Sequence, residues 1–386
     1  MLSHLLYHYR RRLRENHTAS ITSEQRILLD SLLDYMKWSN GRDYEEADEL
    51  FSQGLITERH LAKLCGPNEI MVTTVDGQLR AYLVDKISIE KQFSVHLELW
   101  SWEFEGAFYK EETTTRLIWP ESASTEKPIA ICDLSMFPLR FAPPEVEKRL
   151  RARGERFWQC RKACFIAYNP PHAALEMRTA TPRYMVDVKT YHRMHENAES
   201  SFQKDDLGPE ATSKDDPPSG SFLMLLPHKI YGFGFTDKKW RSLLVQHIRN
   251  IDWNEGAFDK IVMQNHKKEL IKALVTVHAT STKSTDIIEG KGNALIILLH
   301  GGPGTGKTLT AESVAELTRK PLYRVTCGDI GTNADEVEKY LESVLLIGTI
   351  WGCVVLLDEA DVFLEERRET DLQRNALVSV FLRVLE

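Results

Sequence analysis

The sequence predicts an α/β fold with a parallel-sheet core in the last third of the chain, preceded by an α+β, β-rich region. Two observations predict the core: an apolar, strand-sized run at 294–299 leads directly into a glycine-rich loop and an amphipathic helix, and a second such run at 353–357 ends in carboxylates. A third observation predicts the β-rich region, because residues 69–141 carry β-branched and aromatic residues in partial alternation with polar ones.

The composition is that of an ordinary globular protein. The chain has 386 residues, of which 42% are hydrophobic and 27% charged, and this excludes a wholly disordered chain, a collagen-like fibre and a small disulfide scaffold. A chain of this length is expected to form two or three domains. The net charge of −7 argues against a protein that lives on nucleic acid, because such proteins are usually basic.

The six cysteines are scattered, and Cys160 and Cys164 are the one close pair. They lack the second pair or the paired histidines that a zinc site needs. Scattered cysteines favour reduced thiols inside the cell, with the cytoplasm as the first expectation and the nucleus or mitochondrion as alternatives. No apolar run reaches the roughly 18 residues of a membrane span, so no transmembrane segment is expected.

Changes of pattern along the chain divide it into five expected segments. Ser23 is the expected N-cap of a helix in the first segment, and Asp76-Gly77 predicts a hairpin in the second. Further helices are expected over 145–168 and 264–277. The expected segments are a helical region at 1–66, a β-rich accessory domain with a following basic helix at 67–193, an acidic disordered linker at 194–220, short strands at 221–253 and the α/β core at 254–386.

The glycine-rich loop reads G-G-P-G-T-G-K-T at 301–308, which is the pattern G-x-x-x-x-G-K-T between a strand and a helix. Glycines let successive N–H groups point at phosphate oxygens, and the start of the helix adds partial positive charge. Lys307 would reach the β- and γ-phosphates, and Thr308 would bind Mg²⁺ through its hydroxyl. The expected loop contacts to the nucleotide are Gly302, Pro303, Gly304, Thr305, Gly306, Lys307 and Thr308.

Asp358 and Glu359 follow the second apolar run. A carboxylate at the end of that strand can complete the Mg²⁺ shell, usually through water, and this role falls to Asp358. Glu359 is then the natural base to polarise a water for attack on the γ-phosphate. Because P-loop small-molecule kinases typically lack such a glutamate, the pair favours hydrolysis over phosphate transfer.

From about 254 to 386 the chain resembles the front part of an AAA+ ATPase domain. The loop at 301–308 and the sequence L-L-D-E-A-D at 356–361 match the Walker A and Walker B motifs of that family. The sequence F-D-K-I-V-M at 258–263 resembles the segment that lines its adenine pocket. Together with the β-rich region and the acidic linker, the arrangement resembles fungal AAA ATPases. The resemblance implies a P-loop NTPase fold.

The resemblance also implies roles for individual residues. Gly304 to Leu309 would hold the phosphates of ATP, with Lys307 as the catalytic cation. Thr308 and Asp358 would serve Mg²⁺, and Glu359 would activate the attacking water. The adenine ring would pack on Ile261 and Val262. The implied protein is an ATPase that works as a ring-shaped homo-oligomer and remodels a protein or macromolecular client, which the sequence does not identify.

Two departures from the family qualify this expectation. Residues 327–333 lead directly into a helix, without the aromatic–aliphatic–glycine pore loop of many unfoldases. The chain also ends at Glu386 inside an amphipathic stretch, so the sensor strand, the arginine finger and the helical lid are expected beyond a C-terminal truncation. We therefore expect weak nucleotide binding and slow or no hydrolysis. The alternative function is a nucleotide-binding interaction protein without significant hydrolysis.

Two further patterns have alternative interpretations. The basic stretch 148–162 could bind nucleic acid or an anionic membrane, but a helix with Phe157 and Trp158 packed against the β-rich domain is favoured, because glutamates dilute the charge. Three tryptophans could stack a ligand, but sheet packing is the favoured interpretation for them. These tryptophans are Trp100, Trp102 and Trp119.

Overall fold

The computed structural model describes residues 7–8, 10, 22–91, 94–125, 127–169, 181–195, 205–218, 220–280, 295–330, 334–360 and 378–379. The chain forms two compact units. The first comprises Met1–Cys164, Val186–Gly232 and Trp240–Ile248, and the second Phe165–Met185, Phe233–Lys239 and Arg249–Glu386.

The described helices and strands include a run of six consecutive strands over residues 70–138. In chain order they are α1 Ser23–Ser52, β1 Leu55–Ile56, α2 Leu61–Leu64, β2 Ile70–Val75, β3 Gln78–Lys91, β4 Ser94–Phe104, β5 Phe108–Ile118, β6 Ile129–Ala130, β7 Met136–Pro138, α3 Pro144–Cys160, β8 Cys164–Tyr168, β9 Arg183–Val186, α4 Val188–Met194, α5 Pro209–Ser213, β10 Lys229–Gly234, β11 Lys239–Leu244, β12 Ile248–Arg249, α6 Asn265–Thr280, α7 Lys307–Thr318, β13 Leu322–Val325, α8 Cys327–Ile330, α9 Ala334–Trp351 and β14 Val354–Leu357.

The first unit is built on a five-stranded antiparallel sheet with the strand order β5-β4-β3-β2-β7. β2 and β3 are joined by the hairpin that the sequence predicted. Its two turn residues, Asp76 and Gly77, both have positive φ angles, 50° and 71°. A two-residue turn of this kind matches the right-handed twist of the strands, and this is why Asp-Gly is a strong hairpin signal.

Alternating residues of β4 face two different layers. Val95, Leu97 and Leu99 belong to the core that the sheet shares with the helices α1 and α2. Trp102 and Phe104 point the other way and contact Phe222 and Phe157, with ring centroids 5.4 and 5.9 Å apart. The sheet is therefore covered on both faces near residues 102–108, where α3 packs on the second face.

The pairing of β3 with β4 contains a bulge. Val84 is paired with Leu99, and the next pair is Lys86 with Glu98, so Asp85 is an extra residue on β3. The side chains that reach the core from β3 are accordingly Tyr82, Val84 and Ile87 rather than a strict alternation. After Val84, the bulge thus shifts the core-facing positions of β3 by one residue.

α1 begins one residue earlier than the sequence predicted. The N-cap is Thr22, and Ser23 is the first helical residue. Thr22 Oγ1 accepts a hydrogen bond from the Gln25 N–H at 3.4 Å, and Gln25 Oε1 accepts one from the Thr22 N–H at 3.0 Å. Since glutamine stands three residues after Thr22 and not after Ser23, the reciprocal capping box selects Thr22. The apolar face expected around Ile27 and Tyr35 is exposed, at 66% and 62%.

The acidic stretch 194–220 differs from the expected disordered linker. Residues 205–218 form a turn and the short α5. The Asp206 N–H donates to Phe108 O at 2.9 Å, and the Lys110 N–H donates to Asp206 Oδ2 at 3.0 Å, so this stretch covers the edge strand β5. It is held by main-chain and charged hydrogen bonds, which a rule based on apolar content does not foresee. Residues 196–204 and 219 lie outside the described part.

The basic stretch 148–162 forms most of α3, which ends at Cys160, and not at 168 as expected, because a turn and β8 follow. Phe157 and Trp158 are buried at 1% and 2%, and the Trp158 ring stacks on Phe108 at 5.6 Å. The structure therefore confirms the favoured interpretation, in which Phe157 and Trp158 pack against the β-rich domain. Trp102 and Trp119 are buried as well, at 7% and 6%.

The second unit contains a parallel pair of strands, β13 and β14, in which Val325 is in register with Leu357. Residues 295–299, where the sequence predicts another strand, form neither strand nor helix in the described part, and Ile296 and Leu298 are 65% and 78% exposed. A strand exists only when a neighbour pairs with its backbone. In the described part the sheet of β13 and β14 has two strands. Ala294 lies outside the described residues.

α8 and α9 follow β13 where the sequence predicts a helix in place of a pore loop, and 331–333 between them lie outside the described residues. Val337, Leu341 and Val344 of α9 are buried and lie at helical spacing. Among the helices that the structure describes, none combines the length and the apolarity needed to cross a bilayer.

Candidate functional site

The glycine-rich loop leads into α7, which begins at Lys307. Gly304 and Gly306 have φ angles of 76° and 82°, a backbone conformation that L side chains rarely adopt, so both positions require glycine. Thr305 Oγ1 donates to Gly302 O at 2.8 Å and closes the turn. The first N–H groups of a helix have no partner within it, so the start of α7 offers donors and partial positive charge next to the loop.

Lys307 folds back over this loop. Its Nζ donates to the carbonyl oxygens of Gly301 and Gly302, each at 2.8 Å. Both acceptors are neutral, so a phosphate oxygen would be a stronger partner for the ammonium group. Lys307 therefore stands within reach of an anion in the loop.

Asp358 follows β14 directly and is fixed by the sheet. Its N–H donates to Val325 O at 2.8 Å, which extends the pairing of β13 and β14 by one bond. Its Oδ2 accepts a hydrogen bond from Thr308 Oγ1 at 3.4 Å. The structure thus brings together two residues that stand far apart in the sequence and that the sequence assigned to one Mg²⁺ site.

Arg324 is a third member of this group, and no sequence motif indicates it. Its Nη2 lies 2.8 Å from Asp358 Oδ2. In β13 the neighbouring Tyr323 and Val325 are buried whereas Arg324 is exposed, so the side chains of this strand alternate between two faces. The sequence signal that could have indicated this contact is an arginine among the apolar residues of β13, because this strand ends beside the acidic motif.

Glu359 lies beside Asp358 at the same edge. Its N–H donates to Asp358 Oδ1 at 3.2 Å, and its side chain is exposed. Its φ angle of 56° is in the left-handed region, which costs a non-glycine residue about 1–3 kcal/mol. Asp361, the last residue of the acidic motif, lies outside the described residues.

The two expected adenine contacts have different surroundings. Ile261 is 9% exposed, whereas Val262 is fully exposed. Lys268 Nζ donates to the carbonyl oxygen of Ile261 at 3.1 Å, so α6 holds the backbone of this segment. The two side chains do not form one shared apolar surface.

Earlier parts of the chain position α7. Arg183 Nη1 on β9 lies 2.6 Å from Glu316 Oε1, and the Asn254 N–H donates to Glu316 Oε2 at 2.8 Å. One turn further, Arg319 Nε donates to Glu255 Oε1 at 2.8 Å. The C-terminal end of α7 is therefore held by residues from other parts of the sequence. Arg183 belongs to the expected accessory domain, and Asn254 and Glu255 stand at the start of the expected α/β core.

The turn after β13 is fixed by Asp329. Its Oδ2 accepts hydrogen bonds from the Thr326 N–H at 2.8 Å and Thr326 Oγ1 at 2.7 Å, and it pairs with Lys238. Burial alone would raise the pKa of Asp329, but the bonds from Lys238 and Thr326 outweigh it and lower the pKa to about 2. Asp329 is therefore a carboxylate at neutral pH and holds the end of the strand next to Asp358.

This arrangement fits a nucleotide with Mg²⁺. The loop supplies backbone donors and an ammonium group for phosphates, and Thr308 and Asp358 supply the oxygen donors that Mg²⁺ prefers. Among the described residues, no group of three or more His, Cys, Asp or Glu side chains could hold a metal ion. A Mg²⁺ ion held by Thr308, Asp358 and phosphate oxygens agrees with the pairing of these two residues and with the lack of a larger ligand cluster among the described residues.

Comparisons with known proteins point the same way. Residues 297–386 match the family described as "ATPase family associated with various cellular activities (AAA)", and residues 46–143 match a domain of unknown function, DUF7025. No solved structure matches the chain.

Several curated proteins are similar to the C-terminal part of the chain. The Replication factor C large subunit of Sulfurisphaera tokodaii is 35% identical over 77 residues, 19% of this chain and 17% of that protein. The Lon protease of Parabacteroides distasonis is 31% identical over 128 residues, 31% and 15% of the two chains. The ATPase family AAA domain-containing protein 3A homolog of Drosophila melanogaster is 32% identical over 112 residues, 27% and 18%. The chain thus spans less than a fifth of each of these relatives.

The loop before α7 and the carboxylates after β14 have the arrangement of a nucleotide-binding α/β protein. The family match and the relatives go further: the C-terminal region of this chain is similar to AAA-family ATPases, and a domain of unknown function precedes it. The resemblance to this family inferred from the sequence is confirmed.

Proposed function

We propose that the chain binds ATP together with Mg²⁺ and hydrolyses it, and that hydrolysis drives the remodelling of a protein or macromolecular complex. The observation that carries this proposal is the hydrogen bond between Thr308 and Asp358 at 3.4 Å, next to the start of α7. It joins the two halves of the expected Mg²⁺ site.

In this proposal the residues 302–309 hold the phosphates through the loop and the first turn of α7. Lys307 exchanges its two carbonyl acceptors for β- and γ-phosphate oxygens. Bound Mg²⁺ would neutralise charge that develops on these oxygens. Thr308 and Asp358 would hold the ion, and Glu359 would accept a proton from the attacking water.

Ile261 and Val262 remain the proposed contacts of the adenine ring. A ligand there would cover Val262, which is fully exposed. Val262 is an exposed apolar side chain beside the helix that begins at Asn265, and this supports its assignment as an adenine contact. Ile261 is already buried inside the unit, so its exposure gives no such support.

The β-rich region at about 69–144 is the proposed partner-recognition module, and assembly into a homo-oligomeric ring is proposed from the AAA+ family. We propose an intracellular protein, because its described cysteines are free thiols. Nucleic acid is not a proposed partner. Arg161 and Lys162, the last residues of the basic stretch, are engaged by Thr212 O and by the carboxylate of Asp215, which supports this view.

The alternative is a nucleotide-binding interaction protein without significant hydrolysis. The observation that favours it is the exposed segment 295–299, because the described part supplies it with no paired strand. A phosphate loop that is not held by a sheet would be less well ordered for catalysis.

Nucleotide binding and phosphate release by the purified chain test both proposals, with Lys307→Ala and Glu359→Gln as variants. We expect Lys307→Ala to lose ATP binding and Glu359→Gln to retain it while hydrolysis falls at least about 100-fold. If the unaltered chain binds ATP but releases phosphate no faster than Glu359→Gln, the interaction protein is correct. If neither ATP nor ADP binds, both proposals fail.

A further inference from the structure

α1 carries two apolar faces, one turned to the core of the first unit and one turned to solvent. On the first, Met36 and Tyr44 are buried at 3% and 5%. On the second, Leu28, Tyr35 and Trp38 are 71%, 62% and 83% exposed. Because successive residues of an α-helix are about 100° apart, the two sets lie on opposite sides of α1. The exposed set is therefore separate from the face with which α1 packs on the sheet.

The solvent-facing side of α1 has a heptad pattern. Six exposed residues occupy the two positions, a and d, that form the seam of a coiled coil, and we call them the exposed seam. The a positions are Leu28, Tyr35 and Arg42, and the d positions are Glu24, Ser31 and Trp38. Ile27 and Leu32 flank the seam and are exposed as well. The rings of Tyr35 and Trp38 contact each other with centroids 6.1 Å apart, so the strip continues from one helical turn to the next.

We propose that the exposed seam binds the exposed seam of a second copy of this chain as an antiparallel coiled coil. Since the two helices would run in opposite directions, each a residue lies in a layer with a d residue of the second copy. A two-fold axis beside Leu33 generates these layers without a gap. The layers are Leu28 with Trp38, Tyr35 with Ser31, and Arg42 with Glu24, each formed twice.

The charges of the exposed seam select the antiparallel direction. In this arrangement Glu24 of one copy meets Arg42 of the other at both ends of the pair. A parallel pair in register would place Glu24 against Glu24 and Arg42 against Arg42, and such like-charge contacts are unfavourable. The central layers combine the large Tyr35 with the small Ser31. The Ser31 hydroxyl already donates to Ile27 O at 2.8 Å, so its proton keeps a partner when the layer is buried.

The apolar area of this face is large for a surface without a partner. Tyrosine and tryptophan side chains carry roughly 150–250 Å² each, so Tyr35 and Trp38 together expose roughly 300 Å². Ile27, Leu28 and Leu32 add to it. Apolar patches of more than a few hundred Å² are rare on monomeric proteins and mark interaction sites. A second copy covers the patch on both chains at once, because a two-fold contact is closed.

Sedimentation velocity of the full chain, without nucleotide, tests the proposal. We expect a dimer whose fraction rises with concentration, and Trp38→Ala should raise its Kd at least about 20-fold, because it removes a tryptophan from two layers. Ile118→Ala is the matched control, since Ile118 is an apolar residue of β5 with 56% exposure, and it should leave the Kd unchanged. Far-UV circular dichroism should be the same for every variant, because the altered side chains are exposed.

Charge reversal tests the direction of the second helix. Glu24→Arg and Arg42→Glu should each raise the Kd about five- to tenfold, because each turns two ion pairs into like-charge contacts. The double variant restores opposite charges in both end layers and should dimerise as the unaltered chain does. In a parallel pair, either single reversal would exchange one like-charge contact for another and leave the Kd unchanged.

The inference goes beyond the proposed ATPase activity and does not depend on it, because α1 belongs to the first unit. Lys307→Ala should therefore lose ATP binding and keep the dimer. The proposal is overturned if the chain stays monomeric up to about 100 µM, a concentration at which even a weak specific dimer is populated. It is also overturned if Trp38→Ala dimerises as the unaltered chain does, or if the double charge variant fails to recover the affinity that the single variants lose.

Discussion

The guanidinium group of Arg324 lies 2.8 Å from Asp358 Oδ2, the oxygen that also accepts the hydroxyl of Thr308 at 3.4 Å. A positive side chain therefore sits where the proposed Mg²⁺ site needs a free carboxylate oxygen. Asp358 is partly exposed, with 19% of its side chain accessible, so the ion pair is screened by solvent only in part. Mg²⁺ and Arg324 are expected to compete for Asp358.

Replacing Arg324 by Gln should lower the Mg²⁺ concentration that nucleotide binding requires. A partly exposed ion pair is worth about 0.2–1 kcal/mol, so the Mg²⁺ concentration at half-maximal ATP binding should fall by up to about fivefold. A titration of Mg²⁺ against a fluorescent ATP analogue measures this. Arg319→Gln is the matched control, because Arg319 pairs with Glu255 instead. An equal shift in the control, or a higher Mg²⁺ requirement in Arg324→Gln, would contradict the competition.

Replacing Thr308 by Val should weaken ATP binding in the presence of Mg²⁺ and change it little in the presence of EDTA. The reason is that valine has nearly the same shape but supplies no oxygen ligand. Binding should be measured with and without Mg²⁺ by isothermal titration calorimetry, and Thr308→Ser, which keeps the hydroxyl, should behave as the unaltered chain does. Equal losses with and without Mg²⁺ would assign Thr308 a packing role only.

Replacing Gly154 by Ala should destabilise the first unit by about 3 kcal/mol or more. A Cβ atom at this position of α3 would lie 2.1 Å from the carbonyl oxygen of Leu223, and backbone on both sides would have to move. Urea unfolding followed by tryptophan fluorescence measures the change. Gly256→Ala is the control, since a Cβ atom there meets nothing within 4 Å, and it should change the free energy of unfolding by less than about 0.5 kcal/mol.

The contribution of His228 to the stability of the first unit should fall as the pH is lowered from about 6.5 to 4, whereas Glu103, whose pKa burial raises to about 7, acts in the opposite direction. Burial, together with Arg80, Arg153 and Lys229, lowers the pKa of His228 from 6.5 to about 4. Above pH 6.5 the histidine is neutral in both states, whereas between 6.5 and 4 the unfolded chain takes up a proton that the folded chain does not. Folding is thereby weakened by something on the order of 1 kcal/mol, because partial exposure screens the effect.

The measurement is urea unfolding at several pH values for the unaltered chain and for His228→Gln, which should lose less free energy of unfolding on acidification than the unaltered chain does. His60 acts in the same direction, because burial and the nearby Lys63 lower its pKa too. Some pH dependence should therefore survive in the single variant. His266→Gln, at an exposed position, should retain the full dependence. An identical slope in His228→Gln and the unaltered chain would rule out the proposed role of His228.

Local chemistry is what the sequence could predict. The Asp76-Gly77 hairpin, the loop that ends in Gly306, and the helix that begins at Lys307 each follow from a short run of residues whose backbone preferences agree. Thr22 as a cap was within the same reach, because the glutamine of its capping box stands three residues further on. The family resemblance then rested on motifs that such local rules can identify.

Non-local pairing is what the sequence could not predict. The segment 295–299 has the composition of a strand, but whether it becomes one depends on a neighbour and not on its own residues. The contact of Arg324 with Asp358 depends on the register of β13 with β14. The docking of Asp206 on β5 depends on the main-chain groups of Phe108 and Lys110, which any residue would supply, so the composition of β5 does not indicate it.

The bulge at Asp85 sets which changes of chain length the sheet can accept. A one-residue deletion in an ordinary stretch of β4 would turn every later side chain of that strand to the opposite face. Deleting Asp85 would instead bring Tyr82, Val84 and the residue now numbered Ile87 into plain alternation, all still facing the core. Related sequences of this domain are therefore expected to differ in length by one residue at this position of β3 and to keep constant spacing along β4.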